Sequence, residues 1–98
     1  MSTLTLNIDP VAVEIAFNED ELIVFLADGR RFMVPLAWYP RLWHGTKAER
    51  ENWQLLGGGY AIEWPDLDEH IGIEGLLAGR HSSESQKSLQ RWLNQRKK

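Results

Sequence analysis

Gly57, Gly58 and Gly59 stand in a row, and the residues after them, Tyr60-Ala61-Ile62-Glu63-Trp64 and then Pro65, decide how they can be used. A phosphate cradle needs glycine-rich backbone ahead of a helix that opens on Lys-Ser or Lys-Thr. No cation comes next here, and Tyr60–Trp64 reads as a strand. Gly72 and Gly75 complete no dinucleotide fingerprint either. The three glycines therefore predict a bend, in which positive φ is free of Cβ strain. With Trp53–Leu56 ahead of them they read as a hairpin, or as a loop leading into a strand.

The same punctuation divides the rest of the chain. Val11, Val13, Ile15 and Phe17 alternate with Ala12, Glu14, Ala16 and Asn18, the period of a strand buried on one face. Asn18-Glu19-Asp20 reads as a turn. Leu22 to Ala27 is apolar on both alternations, as in a central strand covered on both sides. Asp28-Gly29 predicts a two-residue hairpin turn returning through Arg31 to Val34, and Pro35 ends that strand. A short helical turn is expected near Pro40. Thr46-Lys47-Ala48-Glu49 matches a capping box, with a two-turn helix to about Trp53. Glu74 to Leu77 can make one helical turn closed by Gly79. In the tail, Ser83-Glu84-Ser85-Gln86 is a second capping-box pattern. Leu89, Trp92 and Leu93 fall at i, i+3 and i+4, predicting an amphipathic helix over Glu84–Gln95. So short a helix is marginal in water and must dock on something.

The fold class that results is α+β: a small antiparallel sheet with short helices packed against it, plus a C-terminal amphipathic helix. Ninety-eight residues leave room for one core, here residues 1–79, followed by a tail of residues 80–98. Five tryptophans make much of that core aromatic. The absence of cysteine rules out a disulfide framework and thiolate chemistry, and fits a reducing cytoplasm. MSTLTLNIDP lacks a basic start followed by a long apolar run, and Leu22–Ala27 falls far short of the ~20 residues of a membrane helix. A soluble, cytoplasmic protein is expected, with no membrane partner.

Candidate chemistry is sparse. Asp66, Asp68, Glu69, His70 and Glu74 could offer oxygen and imidazole ligands. A calcium loop counted from Asp66 would require glycine where Ile71 stands, so a solvated, turn-capping corner is the better reading and no metal is expected. His44, His70 and His81 share no two-histidine metal spacing. His44 beside the tryptophans reads as a packed or half-exposed ring, and no serine lies in a nucleophile elbow. No catalytic residues, no cofactor and no enzymatic activity are expected; a small hydrolase or metal protein ranks last.

The net charge of −3 hides a division. Through Gly79, 5 Lys or Arg stand against 13 Asp or Glu; from Arg80 onward, 6 stand against 1. An acidic body thus carries a basic tail. Arg80, Lys87, Arg91, Arg96, Lys97 and Lys98, with Trp92 to stack, could serve nucleic acid. One short helix is no helix-turn-helix, however, and the body would repel phosphate. Folding of the tail onto its own acidic domain, or onto a partner, explains the division as well.

Val34-Pro35-Leu36, Pro40-Arg41-Leu42, Asn52-Trp53, the glycines into Tyr60, Trp64-Pro65-Asp66-Leu67-Asp68-Glu69 and Glu74-Gly75-Leu76-Leu77 together resemble the bacterial domain of unknown function 2442. The likeness runs from Val11 to Gly79. The resemblance implies a small α+β fold. It also implies members that stand alone, carry a C-terminal helix-turn-helix, or lie beside small partners in arrangements of the toxin–antitoxin kind. The 19-residue tail here has no room for a helix-turn-helix, which sets direct DNA reading second. The functional expectation is a non-enzymatic protein–protein interaction module, a small bacterial regulator or antitoxin-like protein. It would bind a toxin-like neighbour and self-associate as a homodimer. Candidate contact residues are Trp38, Tyr39, Arg41, Trp64, Asp66, Asp68 and Glu69, with Arg91 and Trp92 on the tail; for Trp53 and Trp64 a core position is favoured.

Overall fold

The computed structural model describes residues 10–97; the expectations for the N-terminal segment before Pro10 and for Lys98 lie outside them. Two three-stranded antiparallel sheets form in place of the one expected. The first joins β1 (Ala12–Phe17), β2 (Glu21–Leu26) and β3 (Arg31–Pro35) in that order. The second joins β4 (Gln54–Leu56), β5 (Ala61–Trp64) and β6 (Glu69–Gly72) in that order. Among the described residues the helices are α1 (Pro40–His44), α2 (Lys47–Glu51), α3 (Ile73–Leu77) and α4 (Gln86–Arg96). None is long and apolar enough to cross a membrane.

Local chemistry accounts for most of these boundaries. Asn18 Oδ1 accepts from the N–H groups of Asp20 and Glu21, so the β1–β2 turn is closed by a side chain standing in for backbone. The β2–β3 turn is a residue longer than predicted. Leu26 N–H donates to the Arg30 carbonyl across the three residues Ala27-Asp28-Gly29, with Gly29 at φ +94°. That is the three-residue hairpin with a left-handed glycine at its third position. Pro40 opens α1 at a position where no backbone donor is needed. Both bonds of the Thr46–Glu49 capping box are present, but α2 ends at Glu51 and not near Trp53. Asn52 lies outside helical φ and ψ, and its amide donates to Asp66 Oδ2 at 2.9 Å. At the end of α3, Gly79 N–H donates to the Leu76 carbonyl and Arg80 N–H to the Gly75 carbonyl, the paired bonds of a Schellman cap.

β1 departs from its simple alternation. A bulge between Ala12 and Glu14 shifts its register on β2, so Ala12 and Ile15 both face the core while Val13 is 57% exposed. In β2 the inward residues Leu22, Val24 and Leu26 are buried, but Ile23 and Phe25 are only half-covered, so this strand is sealed on one face alone. The acidic segment after Pro65 is more structured than a solvated corner. Pro65–Leu67 makes a 3-10 turn, Asp68 takes the left-handed conformation at φ +50°, and β6 follows with Ile71 inward.

One core joins the two sheets. Ile15, Leu22, Val24 and Val34 of the first sheet cluster with Ile62, Trp64 and Ile71 of the second, and with Leu36, Leu42, Leu67, Ile73 and Leu76 from the turns and helices. Trp64 is its largest fully buried side chain, and the indole N–H donates to the Arg50 carbonyl at 2.9 Å. Gly59 ties the sheets through backbone: its carbonyl accepts from Ala12 N–H at 2.7 Å.

Candidate functional site

The segment leaving α3 settles where the tail goes. Arg80–Ser85 runs back over the body as an extended strap, held at several points. The Tyr39 hydroxyl donates to the Arg80 carbonyl, and Ser82 N–H donates to the Trp38 carbonyl at 3.0 Å. The His81 ring stacks on Trp38 with centroids 3.9 Å apart. Glu84, expected within the helix, lies before it. Arg41 Nε donates to both Glu84 carboxylate oxygens, at 2.9 and 3.0 Å, and Nη2 adds a further bond. Ser85 is the true N-cap, accepting from Ser88 N–H, so α4 starts at Gln86 and not at Glu84.

α4 then docks through a tryptophan and two arginines. The guanidinium groups of Arg41 and Arg96 lie 4.9 and 4.6 Å from the centre of the Trp92 ring. Arg96 forms a two-pronged pair with Glu49, at 3.0 and 2.7 Å. Leu89, Trp92 and Leu93 are half-buried, as expected of a narrow apolar stripe against the body. The same carboxylate that caps α2 thus also anchors the far end of α4.

Between this strap and the β6–α3 unit runs a groove of about 420 Å³, lined by Tyr39, Arg41, Asp68, Glu69, Arg80 and His81 among others. The predicted contact residues fall into three groups. Tyr39, Arg41, Asp68 and Glu69, from two distant segments, meet on this groove, with Trp38 and Trp92 beside it through their contacts with His81 and Arg41. Asp66 is exposed on Asn52, and Arg91 is exposed on α4. Trp64 has no exposed surface and can meet no partner; Tyr39 is buried save for its hydroxyl's bond to Arg80. His44 is exposed and not packed among the tryptophans. Glu84, His81 and Glu49 are not legible as site residues from sequence, and Arg80 and Arg96 read there only as cations for nucleic acid. For Glu84 a signal existed, since it is the one acid in a tail with six cations.

The electrostatics are polarised. Hydrogen bonds from Arg41 hold the Glu84 carboxyl below its usual range. Those from Arg96 hold Glu49 at about 2, against an ordinary 4.5. Glu69 is shifted the other way, raised by burial in the groove wall. Carboxylates with lowered values stabilise the folded form above about pH 4.5, and that contribution is lost as pH falls toward 2. Glu69 has the opposite sign and takes up its proton first on acidification. The tail is therefore expected to loosen between about pH 4.5 and 2, read as a tryptophan fluorescence shift. Glu49→Gln should show a looser tail at neutral pH and a shallower acid limb.

No curated protein matches the chain. Two solved structures do. A protein of unknown function from Rhodospirillum rubrum superposes with a TM-score of 0.69 at 25% identity, over 79% of this chain and 95% of that one. An uncharacterized protein from Chromobacterium violaceum gives a TM-score of 0.67 at 18% identity, over 84% of this chain and 76% of that one, a likeness of fold alone. The sequence profile of the proteins of unknown function DUF2442 matches residues 12–82, from the first strand to the middle of the strap. With most of its length matched, its two antiparallel sheets and its short helices, the chain belongs to the DUF2442 family.

Proposed function

We propose that this protein is a non-enzymatic protein–protein interaction module, a small cytoplasmic bacterial regulator of the antitoxin-like kind, whose groove takes a segment of a partner protein. The observation that carries this reading is the convergence of Tyr39, Arg41, Asp68 and Glu69 on one groove closed by Arg80 and His81. Arg80, Asp68 and Glu69 offer a partner charges of both signs along the groove, over a wall made by Tyr39 and Arg41, whose own polar atoms are held within the chain. The tail's chemistry points the same way. Arg96 is engaged by Glu49 and Trp92 lies against two guanidinium groups, so the ring that a nucleic-acid reading would stack on and one of its cations are occupied within the chain.

The test is capture from a nuclease-treated native lysate with the wild-type protein and with an Arg80→Glu, Asp68→Asn variant, both changes lying on exposed positions of the groove. A protein recovered at stoichiometric yield with the wild type, and at least about tenfold less with the variant, supports the proposal; tenfold corresponds to about 1.4 kcal/mol. Recovery of no protein, with binding to duplex DNA that falls steeply as salt is added, would replace it by the nucleic-acid reading.

A further inference from the structure

The outer face of the first sheet is not used by the groove, none of whose lining residues belongs to β1, β2 or β3. Its rows follow from the strand register. Glu14, Phe25 and Arg31 stand side by side across β1, β2 and β3, and Ala16, Ile23 and Met33 make the next row. The Arg31 guanidinium lies 5.9 Å from the centre of the Phe25 ring, which places it on this face. Met33 is 55% exposed and Ile23 and Phe25 are half-exposed, so the centre of the face is apolar, with an acid at one edge and a base at the other.

We infer that a second copy of this chain packs on this face, related by a two-fold axis running along β2. Such a rotation lays β1 of each copy over β3 of the other and keeps the rows in step. Phe25 then meets Phe25 and Ile23 meets Ile23 across the axis. The long Met33 meets the small Ala16, and Glu14 meets Arg31 twice, once on each side. Sheets packed face to face lie about 10 Å apart, a gap that an arginine and a glutamate reach across. Charge and volume thus match in both of these rows, as an isologous interface requires, while Glu21, the third outward residue of β2, meets its own copy at one end of the axis and limits the affinity. Three strands about 4.8 Å apart and five residues at about 3.4 Å each give a contact of roughly 14 by 17 Å, on the order of 240 Å² per copy and well below the roughly 800 Å² per partner of a stable interface. The dimer is accordingly weak, with a Kd on the order of 100 µM.

Sedimentation equilibrium from about 10 µM to 1 mM tests it, with circular dichroism to confirm that every variant is folded; Glu14 and Arg31 are both exposed, so the changes leave the core alone. The average mass should rise from 11.3 kDa toward twice that value across this range. Glu14→Arg or Arg31→Glu alone puts like charges face to face and should weaken the Kd at least about tenfold. The double swap should restore it to within about threefold. A monomer throughout, a Kd that neither single swap changes, or a double swap that restores nothing overturns the inference. The Arg80→Glu, Asp68→Asn variant should dimerise as the wild type does, so loss of the groove partner and loss of the dimer are separable results.

Discussion

Gly59→Ala is expected to cost at least about 3 kcal/mol of stability, lowering the Tm by roughly 15 °C in a domain of this size. Two independent constraints meet at this residue. Its φ of +106° lies in a region that residues with a Cβ rarely adopt, and that Cβ would stand 2.3 Å from the Ala12 carbonyl oxygen and 3.1 Å from its nitrogen. The obstructing atoms are backbone, held by the bond from Ala12 N–H to the Gly59 carbonyl and by pairing with β2, so they cannot swing aside as a side-chain tip would. Relief must come from parting the two sheets where their cores join. Gly58→Ala is the control. It too has positive φ, +72°, but its Cβ would meet nothing, so it should cost only the left-handed strain of about 1–2 kcal/mol. Thermal melts of the two variants separate the effects. If they coincide within a few degrees, close approach of the sheets is not what requires the glycine.

The difference between these two glycines marks the limit of what is legible in the sequence. That the glycines form a bend can be read locally, because Tyr60–Trp64 comes next with no cation and alternates as a strand should. The Thr46–Glu49 box, the Gly79 cap and the proline that opens α1 are legible for the same reason: each is a contract among residues within five positions of one another. That Gly59 in particular is pinned by Ala12 cannot be read, since 47 residues separate them and nothing in either segment names the other. The β1 bulge is hidden because Val11-Ala12-Val13 is apolar throughout and does not mark which residue is extra. β6 is hidden because Glu69, His70 and Gly72 surround only one buried residue, Ile71, too little alternation to register as a strand. Of the candidate site, the right segments are legible from their aromatic and charged composition. Their assembly into a groove is not, because Glu84 and the strap that close it act through tertiary contacts with Arg41, Tyr39 and Trp38.

Arg41→Ala should release the tail while leaving the body folded. One guanidinium here bonds both oxygens of Glu84, donates to the carbonyls of Leu67 and Asp68 at 3.3 Å, and lies against Trp92. Its removal strands Glu84, whose side chain is only 12% exposed, as a carboxylate without its cation. Breaking one side of a buried pair costs about 3–5 kcal/mol when the other side has nowhere to go. Glu84 has somewhere to go, because it rides on the strap. The loss is therefore capped by the docking free energy of residues 80–97, which we place at about 2–3 kcal/mol from two charge-assisted pairs and a half-buried tryptophan. The undocked population should then rise about 30- to 150-fold. Trypsin cleavage within α4, after Lys87 and Arg91, should accelerate by that factor while the body stays intact, since proteolysis follows the open population when closing is fast. Arg41→Lys should recover little of the effect, because a single ammonium cannot reproduce the fork that grips both oxygens. Arg96→Ala should be milder, since Glu49 keeps its bond from Thr46 N–H. Cleavage in α4 at the wild-type rate in Arg41→Ala would mean that the helix is held by its apolar stripe and not by this arginine. The decisive comparison is additivity: once residues 80–98 are deleted, Arg41→Ala should destabilise the remaining body only through the bonds to Leu67 and Asp68, well short of its effect on docking in the full chain.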